Sequence, residues 1–190
     1  MREKKLNREK IHQLMTETNI ITISNVQSYR QISTNMKTER FDAFQLEVLQ
    51  TNLKQLLGEP LYYAFFKDFS GAAPATQKYK DLLDGKEYVL SSETIQYHGL
   101  KPFVIYHWLA LFAREGDLFQ ASYGNVQFNN NTQQNMQSSK EKDKIVYNFL
   151  SKATEYENNI VQYLNEYSST YPLWEGGTDK PIDQHNIIVM

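Results

Sequence analysis

The chain has 190 residues, 41% of them apolar and 13% aromatic, enough to fill the core of one domain with appendages. Its 20 basic and 22 acidic residues leave a net charge of −2, which excludes the strongly basic field that a dedicated nucleic-acid binder needs to displace counterions. The absence of cysteine excludes disulfides, thiolate nucleophiles and Cys-ligated zinc together, and is compatible with a reducing cytoplasm.

Residues 1–23 read as an N-terminal arm. The opening MREKKLNREKIHQL is charged, carries no apolar run of signal-peptide type, and gives way to Ile20, Ile21 and Ile23. Ser24 is placed to cap a short helix through about Gln31, because its hydroxyl can accept the free N–H groups of a first turn. A helix over Thr38–Leu57 follows, with Phe41, Phe44 and Val48 on one stripe and Leu46, Leu49, Leu53, Leu56 and Leu57 widening it; Gly58 closes it. Pro60 fits the first turn of the next helix, EPLYYAFFKDF, whose aromatic residues on several sides call for burial. SGAAPA at 70–75 reads as a loop, and TQKYKDLLDG as a short helix closed by Gly85. EYVLSSETIQYHG has apolar residues broken by a Ser-Ser centre, which favours a β-hairpin or an extended excursion, although the centre lacks the glycine a tight turn prefers.

The central helix runs from Gly99 to Glu115 with Pro102 in its first turn and Gly116 at its close. It has almost no polar face, so it should be buried on most sides. Its apolar run, Leu100–Ala113, is about 14 residues long, short of the roughly 20 needed to cross a bilayer; the expectation is a soluble protein with no membrane partner. Residues 117–139 form a long connection holding one small extended piece, ASYGNVQFN; connections of that length are usually functional or disordered. The last helix spans about Gln137–Ser169. Its Val146, Phe149, Ala153, Tyr156, Ile160, Tyr163 and Tyr167 share one face. Pro172 stops it, Trp174 can fold back onto the last turn, and 172–190 reads as a C-terminal arm ending in Ile187, Ile188, Val189 and Met190. The fold class is therefore mainly α, a bundle of about four to five helices over residues 24–171, with a long final helix, a small β-hairpin excursion and extended terminal arms. The core should come mainly from Phe44, Leu49, Leu53, Leu56, Phe103, Trp108, Leu109, Phe112, Phe149 and Ile160.

Catalytic patterns are lacking. His12, His98, His107 and His185 have no partner at metal-ligand spacing, and His107 on the apolar helix reads as a hydrogen-bonded core residue. DLLDGKE at 81–87 lacks the alternating acidic ligands of a calcium loop and reads as a helix end. KEKDK at 140–144 reads as a solvated helix face, and FNNNTQQNMQ as a polar surface loop. No nucleotide-binding glycine motif or nucleophile elbow occurs. The expectation is a protein that is not an enzyme, with no cofactor and no metal. Two features exceed background: Tyr123, Val126 and Phe128 are too apolar for an idle loop, and both arms carry apolar residues that a ring assembly would bury. Tyr123, Val126, Phe128, Trp174, Ile187, Ile188, Val189 and Met190 are accordingly the candidate interface residues.

The order of FDAFQLEVLQTNLKQLLGEPLYYAF, KYKDLLDG, GLKPFVIYHWLALFAREGD, ASYGNVQFNNN and KEKDKIVYNFLSKATEYENNIVQYLNEY, over about residues 38–170, resembles the head–tail connector (adaptor) proteins of tailed bacteriophages. More narrowly, it resembles the ring proteins of phages infecting Bacteroidetes, including the crAss-like group. In that family an early helix pair ends in a "G…LY" turn, and a buried helix leads to a short "GxV" element, here Gly124-Asn125-Val126, before the last helix. The resemblance implies a structural virion protein assembled in the host cytoplasm: a homo-oligomeric ring, commonly a dodecamer, that docks on the phage portal protein. The ring would extend the DNA channel toward the tail, let genomic DNA through without sequence-specific binding, and offer a docking surface to the next tail or ring component. It brings no catalytic residues. The alternatives are a bacterial helical interaction or regulatory protein and a small helical enzyme.

Overall fold

Thr22, rather than Ser24, starts the first helix of the computed structural model, which describes residues 19–32, 36–115, 118–121, 124–127 and 139–176. The Thr22 hydroxyl accepts the Asn25 N–H at 3.2 Å, while the Asn25 side chain accepts the Thr22 N–H at 2.9 Å. This reciprocal cap satisfies two donors at once and sets helix α1 at Ile23–Tyr29. The arm boundary moves with it. Ile20 and Ile21 are buried in the core, and the Ile21 N–H donates to Gln45 Oε1 at 2.8 Å. Gln45 is the one buried polar side chain among the described residues, and its amide also donates to Asn19 at 2.7 Å. Residues 19–23 thus belong to the helical body; residues 1–18 lie outside the described residues.

The helix expected over Thr38–Leu57 is present but not uniform. Helix α2 covers Thr38–Val48, and a wider π-helical turn, Leu49–Leu53, joins it to helix α3, Lys54–Lys67. Apolar residues four apart overshoot an α-helical face a little at each step. A wider turn rotates less per residue and pulls them back, so Leu49, Leu53 and Leu57 all reach the interior, each at most 1% exposed. Gly58 breaks α3 at φ 72°, and Pro60 opens the continuation, as the sequence reading expects. Leu61, Tyr62, Phe65 and Phe66 on that continuation are all buried.

The SGAAPA segment is not a plain loop. Strands β1 (Phe69–Ser70) and β2 (Ala73–Pro74) form a minimal hairpin, held because the Asp68 carboxylate accepts both the N–H and the hydroxyl of Thr76 at 2.8 and 2.9 Å. Helix α4 follows at Gln77–Asp84, closed at Gly85. The Ser-Ser segment is a hairpin, β3 (Lys86–Leu90) paired antiparallel with β4 (Glu93–Tyr97). Ser91 and Ser92 make its turn at φ 51° and 72°.

Helix α5, Leu100–Glu115, is the hub, packing along helix α6 (Ser139–Glu166) and against α2, α4 and the π turn. Of α5's first twelve residues all are buried except Lys101 and His107, which are partly buried. α6 starts and ends slightly inside the expected bounds, and on its stripe Ala153, Ile160 and Tyr163 are buried while Val146, Phe149, Tyr156 and Tyr167 are partly so. Of the expected core, Leu49, Leu53, Phe103, Trp108, Leu109 and Ile160 are buried; Phe44, Leu56, Phe112 and Phe149 sit at its rim, partly covered. The long connection holds two paired strands rather than a single extended piece: β5 (Leu118–Ala121) and β6 (Gly124–Gln127). The fold is thus mainly α, six helices and three two-stranded hairpins among the described residues. No described helix is long and apolar enough to cross a membrane.

Candidate functional site

The π turn, α5 and the first half of α6 enclose a groove of about 200 Å³, lined by residues that include Glu47, Thr51, Asn52, His107, Arg114, Val146 and Leu150. A π turn displaces backbone and side chains from regular packing and often marks a functional place. His107 is among the lining residues, its ring edge-on to Phe103 with centroids 4.5 Å apart. It is partly accessible rather than the hydrogen-bonded core residue expected. Burial disfavours its charged form and lowers its pKa from 6.5 to about 4, so the imidazole is neutral at pH 7. The Thr51 hydroxyl donates to Glu47 O at 2.7 Å. Among the described residues, no three His, Asp or Glu side chains converge on a point where a metal ion could sit. The groove is a recess of mixed polarity and offers no nucleophile–base pair.

The other concentration of polar chemistry is a tyrosine layer between α4, the β3–β4 hairpin and the second half of α6. Tyr97 and Tyr163 stack with centroids 3.9 Å apart and planes within 3°. The Tyr97 hydroxyl donates to Leu82 O at 2.8 Å, and the Tyr171 hydroxyl donates to Lys78 O at 2.6 Å. Burial raises the pKa of both phenols, so they stay neutral donors. Lys86 pairs with Asp81 at 3.0 Å and lies over the Tyr167 ring at 4.8 Å. Burial works against its charge, but the Asp81 hydrogen bond and neighbouring Tyr163 more than offset it, and its pKa is raised. The Tyr97 and Tyr171 hydroxyls both end on α4 carbonyls, so the layer ties the hairpin and the turn after α6 to α4, while the buried Tyr88 hydroxyl has no hydrogen-bond partner among the described residues.

The candidate interface residues are distributed unevenly. Val126 lies on β6, paired in register with Phe119. Trp174 folds back as expected: its indole N–H donates to Asn165 Oδ1 at 2.8 Å and its backbone N–H to Tyr171 O at 2.8 Å. It packs against the edge of the core, so residues 172–176 belong to the body rather than to an arm. Tyr123, Phe128, Ile187, Ile188, Val189 and Met190 lie outside the described residues. The large apolar side chains that the described body does expose are Val89 at 64%, Tyr147 at 63% and Leu173 at 43%. None of these was singled out from sequence. Val89 was the most legible of them, since strand alternation puts it on the face opposite Tyr88.

Residues 53–181 match DUF6712, described as a family of unknown function. The chain belongs to the DUF6712 family. The DUF6712 match begins at Leu53, the last residue of the π turn, and takes in α3, the hairpins, α5 and α6, leaving α1 and α2 outside. No curated protein and no solved structure matches the chain.

Proposed function

We propose that the protein is a structural subunit of a tailed-phage head–tail connector. In this reading it forms a homo-oligomeric ring of about twelve subunits that docks on the portal and carries the DNA channel toward the tail. The observation that supports the reading is the order of elements. A helix pair is interrupted at Gly58 and resumes through Leu61-Tyr62; the buried α5 follows; a short strand holds Gly124-Asn125-Val126; and the 28-residue α6 closes the series. That is the order the sequence resemblance implies. A ring subunit needs two different contact faces on one chain, and Val89 and Tyr147 supply exposed apolar groups on separate elements, the hairpin and the first half of α6.

The test is native mass spectrometry and negative-stain imaging of the purified protein, alone and mixed with the portal protein encoded in the same genome. The reading expects a ring of about twelve subunits, closed by one repeated head-to-tail contact, alone or on the portal. A dimer that ignores the portal would overturn it in favour of a helical interaction protein.

A further inference from the structure

The β3–β4 hairpin packs one face on α6, with Tyr88 and Tyr97 buried there and Glu87, Val89, Thr94 and Gln96 exposed on the other. Its two outer edges have different fates. In a hairpin closed by a two-residue turn, alternate residues point their backbone N–H and C=O away from the ladder. On β4 and just beyond it those residues are Thr94, Gln96 and His98, and α6 takes the last two. The Asn159 side-chain amide donates to Gln96 O at 3.2 Å, and the His98 N–H donates to Asn159 Oδ1 at 3.1 Å. Asn159 thus stands in for a neighbouring strand. On β3 the corresponding residues are Glu87 and Val89, opposite Gln96 and Thr94. Among the described residues no hydrogen bond reaches their outward backbone groups.

We infer that this open edge of β3 receives residues 187–190 of a second copy of the chain, added as a strand. Main-chain hydrogen bonds to Glu87 and Val89 would hold it, and the exposed Val89 side chain would lie beside it. The occupant follows from composition and position. Ile187-Ile188-Val189 is the only run of consecutive β-branched residues outside the described body, and such residues suit a strand. The described chain also ends on the hairpin's side of the molecule: Tyr171 donates to Lys78 O on α4, and Lys86 at the base of β3 covers Tyr167. From Gly176 the intervening residues 177–186 can span up to about 35 Å, enough to leave the body and meet a neighbour. The inference rests on the ring reading, because a head-to-tail contact gives each subunit one donor segment and one acceptor edge.

The experiment compares full-length wild type, Val89→Pro and Ile188→Asp by light scattering at rising concentration, with thermal melts as the folding control. Proline at an outward-facing position of an edge strand removes the donor that an incoming strand needs without removing a ladder bond. Wild type should associate, while both variants should melt as wild type and remain monomeric. Mixed in equal amounts, the two variants should form a heterodimer and nothing larger, since only one interface per pair is restored. If Val89→Pro melts lower, Val89→Lys replaces it, keeping the ladder intact while placing a charge beside the apolar strand. Association of the Val89 variant equal to wild type would overturn this edge while leaving the ring reading standing. A mixture that stays monomeric would overturn the exchange between copies. Restored heterodimers from a wild type that never forms rings would retain the edge and reject the ring.

Discussion

Gly85 and Gly99 meet backbone to backbone at the neck of the β3–β4 hairpin. A Cβ built on Gly99 would lie 2.5 Å from Leu83 O and 2.7 Å from Gly85 N, and one built on Gly85 would collide with Tyr97 O. Both residues have positive φ, 88° and 82°. The end of α4 and the start of α5 are therefore brought together with no room for a side chain on either chain segment. Alanine at either position meets a left-handed backbone cost of about 1–2 kcal/mol and an overpacking cost of about 1–3 kcal/mol. Gly85→Ala and Gly99→Ala should each destabilise by about 2–5 kcal/mol in urea melts. Because they crowd one gap, the double variant should lose less than the sum.

Trp108 is fully buried, stacks on Phe112 at 5.1 Å, and donates its indole N–H to Phe41 O at 3.1 Å. Emptying such a site removes packing and leaves a carbonyl without its partner. Trp108→Ala should cost about 3–5 kcal/mol, and Trp108→Phe should recover much of the packing while still leaving Phe41 O unpaired. Denaturant melts of the two variants separate the contributions; equal losses would mean that the hydrogen bond dominates.

His107 makes stability depend on pH in the acid range. Its folded pKa of about 4 lies below the ordinary 6.5, so between those values the unfolded chain binds a proton that the folded chain does not. Its contribution is complete above about pH 6.5 and is lost as pH falls toward 4, by at most about 3 kcal/mol. Asp42 and Glu157 act in the opposite sense, since burial raises their carboxyl pKa values and the folded state takes up their protons first. The isolating measurement is the difference between wild type and His107→Phe. Urea melts from pH 7 to 4.5 should show wild type weakening relative to the variant, and parallel curves would place His107 in water.

Ser91 and Ser92 hold positive φ at the hairpin turn, a conformation that costs an ordinary L-residue about 1–2 kcal/mol and glycine almost nothing. Ser92→Gly should raise stability by about 0.5–1 kcal/mol after the extra freedom of the unfolded chain is subtracted. An unchanged or lower melting temperature would mean that the serine turn makes compensating contacts.

Features set by local chemistry were legible in the sequence. Gly58, Pro60, Gly85 and the seven-residue stripe of the last helix each fix a boundary or a face by themselves, and the structure has them where that logic puts them. What was not legible depends on distant partners. Gln45 reads as an ordinary surface residue of α2 until Ile21 arrives to use its carbonyl oxygen, and Asn159 shows no sign in the sequence that it caps the edge of a strand. The π turn was hidden for a related reason: a ladder of leucines four apart fits either helix type, and only packing against α5 selects the wider one. Of the candidate interface, Trp174 was readable as folding back, because Pro172 keeps the helix from reaching it; the helix itself ends earlier, at Glu166. Val89 was missed because its meaning lies in an unpaired backbone rather than in its side chain.

The chain's two tryptophans sit in unlike places, Trp108 sealed in the centre and Trp174 half-covered on the turn that follows α6. Each is therefore an optical probe of a different event. Trp174→Phe leaves an emission signal that shifts to the red only when the centre opens to water. Trp108→Phe leaves one that reports release of the Tyr171–Trp174 turn from Asn165. Comparing the two emission curves along one denaturant series shows whether the segment leading to residues 187–190 detaches before the body melts.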